Sequence, residues 1–480
     1  MLHDDSTGTM TEPSTIALLG QRQERGAPVY VGTLVLANTI LGAGMLGLPA
    51  AFGGCGYVVG TLMLCAFACA STFGLHLLSE AANFVGRPGT FHKVADAAMP
   101  GFGLLFDAAI AIKCFGVATS YLVVVKGNVP KALTSFGVPQ HSVWQHKWVW
   151  VLISAALAAP LAALKNLSRL RFTAGLSLTC VVLIVTVVCL FAAHPVEVLD
   201  PCPDENASTP ADFCGGAVKP FTDVMSCLRE LPIFVFAYTC HQNIISATNE
   251  LDRPTTGRVL TSISGAVGLA GTSYLILAYS GYFTYGDGVA SDVLESYPAT
   301  SKIVGVARMS ISLIVTLCYP LQAHPSRGCI TSILLAACAK RSIPEPPSSV
   351  PYQRMVNVTA SGTRGAGGVG VADAAVPIAS PPTDDHGGVQ PTSNAMHNGI
   401  TACFLAGTIA IALAVDDLGI VLKVVGATGS TTVSYILPGA TYIRVCPRHL
   451  RGWQWWGALG MLLTGCAIMP LSLTLDFLSE

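Results

Sequence analysis

The apolar residues of this chain are grouped into blocks near twenty long, separated by shorter polar stretches. A bilayer core of roughly 30 Å needs about 20 apolar residues per helix, so each block reads as a membrane-spanning helix. Eleven such spans follow from the pattern, at 30–50, 57–82, 104–125, 148–164, 172–193, 228–248, 259–283, 303–323, 399–415, 419–442 and 453–473. The ninth is short and polar-flanked, which leaves ten or twelve spans open. The pattern also divides the chain. A polar tail, 1–29, precedes helices 1–8 (30–341, with an acidic loop at 194–222). A Pro/Gly/Ser/Ala-rich linker, 342–398, is expected to be cytosolic and disordered. Three helices, 399–475, follow it.

Composition sharpens the class. Of 480 residues, 52% are hydrophobic and 11% charged, where a soluble domain carries about 25% charged residues. The expectation is an all-α integral membrane protein. A net charge of −1 gives no footprint for nucleic acid. Arg22, Arg25, Lys165, Arg169, Arg171, Arg444, Arg448 and Arg451 share one side of the alternation, which puts the N-terminus in the cytosol and, for eleven spans, the C-terminus outside. Three lysines, Lys126, Lys131 and Lys147, fit this topology least well. The six tryptophans flank span ends, as an aromatic belt requires.

Most of the 16 cysteines lie in apolar blocks and no CxxC pairs suggest zinc, so no metal site is expected. Cys202, Cys214 and the sequon Asn206-Ala-Ser208 share the outer 194–222 loop. A disulfide and a glycan at Asn206 are chemically open there, as are two free thiols and an unused sequon.

Four places carry candidate chemistry. The first span contains Asn38-Thr-Ile-Leu-Gly42-Ala43-Gly44-Met-Leu-Gly47-Leu-Pro49. Residues 42–47 match the dinucleotide fingerprint, but no strand precedes them and the next acid is Glu80, too distant for a ribose contact. Closely spaced glycines weaken a helix by about 1 kcal/mol each. Non-helical backbone at that depth persists only where it lines a cavity, and its exposed N–H groups can hold an anion. Close helix packing through small residues is the competing use. The sixth span carries a polar run, Tyr238-Thr239-Cys240-His241-Gln242-Asn243, where His241 serves either as an interhelical hydrogen-bonding group or as a proton relay. Lys113 in the third span pairs with a substrate carboxylate, changes protonation, or snorkels outward. Ser310, Ser312 and Thr316 in the eighth span can coordinate a small cation or bond to backbone carbonyls one turn earlier. Interrupted spans one and six, five apart, are the pattern of two inverted repeats around a midplane site.

At the segments Asn38–Pro49, Lys113–Leu122, Cys240–Leu251 and Thr316–Pro320 the chain resembles the amino acid/auxin permease family, and its third span is most similar to the fungal vacuolar branch. The resemblance implies a leucine-transporter-like fold of about 11 helices, a 5+5 inverted repeat plus one extra helix. It implies amino acid transport coupled to H⁺ or Na⁺, with no other cofactor. The amino acid would be held by Gly42, Ala43 and Gly44 together with Tyr238, Thr239 and Cys240. Asn38 and Thr316 match positions that coordinate a cation in sodium-coupled relatives, while the third-span motif resembles the proton-linked branch, so Lys113 and His241 are the alternative coupling residues. The Cys202–Cys214 pair is similar to the outer-loop disulfide of some relatives. The expected function is an alternating-access symporter, H⁺ favoured over Na⁺, in a vacuolar-type or plasma membrane. The alternative is an amino-acid-binding nutrient sensor. No activated nucleophile or acid–base constellation points to an enzyme. The expected partners are the amino acid and the bilayer.

Overall fold

The computed structural model describes residues 27–87, 89–164, 171–193, 199–202, 216–341 and 393–477. Among these, the backbone is helical, with one isolated bridge joining Ala27 to Leu251 and no strand. In order the helices are α1 (Val29–Ile40), α2 (Leu48–Cys55), α3 (Tyr57–Val85), α4 (Phe91–Ala98), α5 (Gly103–Ser135), α6 (Lys147–Ala162), α7 (Arg171–Ala193) and α8 (Val224–Ala237). They continue with α9 (Ile244–Asn249), α10 (Thr256–Tyr285), α11 (Val293–Ser296), α12 (Lys302–Arg341), α13 (Asn394–Ala414), α14 (Leu418–Val425), α15 (Leu437–Val445) and α16 (Trp453–Phe477).

Among the described residues, eight helices are long and apolar enough to cross a membrane, or nine if the bent pair formed by α1 and α2 is one span. α6 is apolar but only 16 residues long, and α8–α9 is two short pieces around a non-helical stretch. Burial ranks the spans. The central windows of α5, α12 and the 418–445 span are each 67% buried, whereas those of α3 and α16 are 28% buried. The first set forms the interior and the second offers its side chains to lipid. α12 packs most extensively on α5 and also on α6, α7 and α13, while α10 lies against α1, α2 and α3. Exposed Trp144, Trp148, Trp453 and Trp456 sit at helix starts, where indole prefers the headgroup level.

Several boundaries move from the sequence expectation, the furthest being the end of α12, at Arg341 and not 323. α13 begins at Asn394, not 399, because Ser393 caps it by accepting the Met396 amide (3.2 Å). α5 continues through Lys126 and Lys131 to Ser135 despite Pro130. That extension places Lys126 and Lys131 on α5, while Lys147 opens α6. Lys126 and Lys147 both reach Asp416 at 3.2 Å, and Lys131 reaches Glu295 at 3.1 Å, so each is paired with an acid at its own end of the molecule. Cys202 is disulfide-bonded. Cys214, Asn206 and linker residues 342–392 lie outside the described residues.

Candidate functional site

The first helix stops being α-helical at its paired glycines. Leu41 N–H closes the last turn on Ala37 O (2.8 Å), Gly42 N–H folds back to Ile40 O (2.9 Å), and Met45 N–H bonds to Gly42 O (3.2 Å). A 3₁₀ turn, Ala43–Gly47, then leads into α2, bent 50° from α1. Pro49 is accommodated because the first turn of α2 needs no donor there. The amides of Ala43 and Gly44 open the 3₁₀ turn and so have no acceptor inside it. Among the described residues no other hydrogen bond engages them. A Cβ at Gly44 would sit 2.9 Å from the Phe236 ring and 3.3 Å from Ala237 Cα. Glycine is therefore what lets the two breaks touch.

The second break follows α8. The chain leaves the helix at Tyr238, and a 3₁₀ turn, His241–Asn243, leads into α9. Cross-links hold the two breaks together. Asn243 Nδ2 donates to Thr39 Oγ1 (3.0 Å). The Tyr274 hydroxyl on α10 lies 2.6 Å from Ile40 O and 2.9 Å from Ala237 O, so one proton serves the last carbonyls of both helices. Ser71 donates to Tyr238 O (3.0 Å), and Ser434 donates to Thr239 Oγ1 (3.1 Å).

Between the breaks lies a narrow cavity. Gly42, Ala43 and Gly44 form one wall and Thr239 another, with Lys113 projecting from α5. Lys113 is 2% exposed, and no hydrogen bond or ion pair is made by its ammonium among the described residues. It is thus a buried amine with no anionic partner among the described residues, beside two amides that lack an acceptor, an arrangement that suits an anionic group. Snorkelling, the competing use, is not what the geometry has.

The other sequence candidates distribute differently. The Tyr238 ring does not line this cavity; it stacks edge-on against Tyr274 (5.4 Å). Cys240 is fully buried behind the cavity, close enough to sense the Lys113 charge. His241 is also near Lys113 and beside the Ser71 backbone, and among the described residues neither its ring nitrogens nor the amide atoms of Gln242 make a well-formed hydrogen bond. Asn38 and Thr316 each have other engagements. Asn38 Oδ1 faces Cys318 Sγ (3.9 Å), whereas the Thr316 hydroxyl donates to Ser312 O and meets Ser154 Oγ, both at 2.8 Å.

Some site residues carried no signal in the sequence. Tyr121 lines the cavity and its hydroxyl accepts from Gln322 Nε2 (3.4 Å). Phe236 closes the apolar side. Two π-turns, Gly426–Ser430 and Thr432–Ile436, interrupt the 418–445 span, and Gly429 lies directly on the backbone of Lys113, where a Cβ would come within 2.8 Å of the Lys113 Cα. Such turns concentrate at functional sites. The run Gly426-Ala-Thr-Gly-Ser-Thr-Thr-Val-Ser434 was the available clue.

The family model described as "Transmembrane amino acid transporter protein" matches residues 26–475. Vacuolar amino acid transporter 5 of Schizosaccharomyces pombe is 30% identical over 419 residues, 87% of this chain and 84% of that protein. Vacuolar amino acid transporter 6 of Saccharomyces cerevisiae is 32% identical over 434 residues, 86% and 89% of the two chains. Vacuolar amino acid transporter 7 of the same yeast is 25% identical over 442 residues, 85% and 87%.

Proposed function

The chain belongs to the transmembrane amino acid transporter family, and from that premise we propose that it is an ion-coupled amino acid carrier. It works by alternating access at the cavity between its two broken helices. The observation that supports this most is the pair of free amides at Ala43 and Gly44 facing the same small space as the unpartnered Lys113 ammonium. The α-carboxylate of the substrate is received by those amides, as helix ends receive anions. Its ammonium meets Thr239 on the facing wall.

Eleven crossings are proposed, the additional two being α6 and the broken pair α8–α9, with spans 1–5 and 6–10 as inverted repeats. Packing supports a moving group of spans 1, 2, 6 and 7 against a scaffold of 3, 4, 8 and 9, since α10 adheres to α1–α3 and α12 to α5, α6 and α13. H⁺ is favoured over Na⁺. Lys113 lines the cavity with an exchangeable proton and no hydrogen-bond partner among the described residues, and His241 is buried near it, whereas the oxygens of Asn38 and Thr316 face different neighbours. A vacuolar-type membrane with a cytosolic N-terminus is the proposed setting, by the charge rule and by the names of the relatives.

The test is uptake of a radiolabelled amino acid panel by the purified protein in liposomes under an imposed pH gradient or sodium gradient. Uptake driven by the pH gradient alone is the expected result. Sodium dependence would overturn the proton assignment. Binding without flux under either gradient would overturn the carrier reading.

A further inference from the structure

The segment 286–301 joins α10 to α12 and contains α11. It lies against the substrate turn. The Ser291 carbonyl is 3.6 Å from where a Cβ on Gly47 would stand, Val293 and Pro49 crowd the same face of Gly281, and α11 touches the Ala43–Gly47 turn. At its centre Asp292 is 2% exposed. One of its carboxylate oxygens caps α11 by accepting the Leu294 amide (2.9 Å), and the other accepts from Asn128 Nδ2 on α5 (2.6 Å).

The charged and titratable groups around it are otherwise occupied. On the same segment, Glu295 is paired with Lys131 of α5 at 3.1 Å. From α12, the fully buried Arg308 gives its guanidinium to carbonyls, those of Leu294 (2.8 Å) and Tyr297 (2.7 Å). Tyr285 at the end of α10 and Tyr297 meet edge to face (5.1 Å), and Asp287 reaches Lys219 at 3.8 Å. Among the described residues no cation lies within ion-pair distance of Asp292. Two neutral donors therefore hold a buried carboxylate, an arrangement that disfavours its charge.

We propose that Asp292 is a second proton-binding site of this transporter, and that its protonation keeps segment 286–301 docked over the substrate turn. This rests on the carrier reading and deepens it. When the segment is docked, a proton from the adjoining aqueous compartment converts the Asp292 carboxylate to a neutral carboxyl. When it lifts, Asp292 meets water and releases the proton. Burial, reinforced by Glu295, pushes the Asp292 carboxyl up to about 7 in the docked form, against the smaller opposing effects of Asn128, the Leu294 amide and Lys131. In water the group returns to about 3.9. The docked form thus binds more protons. Its advantage is complete below about pH 4 and is lost as pH rises to about 7, by about tenfold per pH unit. An acidic compartment on this side holds the segment against the turn, and a neutral one releases it.

The test is hydrogen exchange of peptides spanning 286–301 in the purified full-length protein, read by mass spectrometry at pH 5.5 and 7.5 with intrinsic rates normalised. The wild type should lose about tenfold or more of its protection at pH 7.5. Asp292→Asn should be equally protected at both values. Asn128→Asp places two carboxyls on one proton and should move the loss to higher pH. Glu295→Gln should keep a pH dependence. An Asp292→Asn protein that retains the wild-type dependence, or a wild type with none, would overturn the proposal. No substrate is present, so a failure of amino acid uptake in the same preparation rejects the carrier reading separately.

Discussion

Removing one hydroxyl, in Tyr274→Phe, tests whether the two helix breaks act as a unit. The hydroxyl is shared between Ile40 O and Ala237 O. Ile40 O keeps a second donor, the Gly42 amide at 2.9 Å. Ala237 O has no other donor among the described residues, and it is the last carbonyl of a buried helix end. A buried carbonyl left without a donor costs about 1–3 kcal/mol, which at about 1.4 kcal/mol per tenfold corresponds to roughly 5- to 150-fold in an equilibrium. The phenyl ring retained at 274 preserves the edge-on stack with Tyr238, so the fold persists. The second break instead shifts to find a donor, and carries the facing Ala43 and Gly44 amides with it. The expected result is a KM for amino acid uptake raised at least fivefold in liposomes, with protein yield and monodispersity unchanged. Tyr274→Leu, which also removes the ring, should lower yield as well. A Tyr274→Phe protein with wild-type KM and maximal rate would refute the reasoning.

Three further outcomes follow from the same geometry. Gly44→Val drives side-chain atoms into Phe236 and Ala237; overpacking of about 1–3 kcal/mol should abolish uptake while the protein still inserts, and retained uptake would remove Gly44 from the site. Lys113→Gln removes the only cation lining the cavity among the described residues, and should reduce uptake at least tenfold and uncouple what remains from the pH gradient, as measured by substrate-driven proton flux. Thr316→Val breaks the contacts to Ser154 and Ser312 and should lower thermal stability by about 0.5–1.5 kcal/mol without changing the ion dependence of uptake; a changed ion dependence would return Thr316 to the coupling-ion role.

The sequence by itself determined the features that depend on neighbours along the chain. Block length against bilayer thickness marked the helices, including the short ninth, which Ser393 starts five residues earlier than its apolar run suggested. The paired glycines at 42 and 44 and the polar run from 238 to 243 marked both breaks, because loss of helix propensity and polarity at depth are local properties. Lys113 was visible for the same reason. Only the tertiary structure decided what these features meet. Nothing in the spacing of Tyr274 reveals that its hydroxyl spans Ile40 and Ala237, since three helices distant in sequence must first pack. Tyr121, Gln322 and the Gly429 contact on Lys113 were illegible likewise. The lysines at 126, 131 and 147 looked like exceptions to the charge rule until folding brought Asp416 and Glu295 to them. No sequence pattern singled out Asp292; its burial beside Asn128 exists only once segment 286–301 packs on α5. A helix is specified by its own residues. A site is specified by the faces that several helices present to one another, and those faces are chosen by packing among all of them at once.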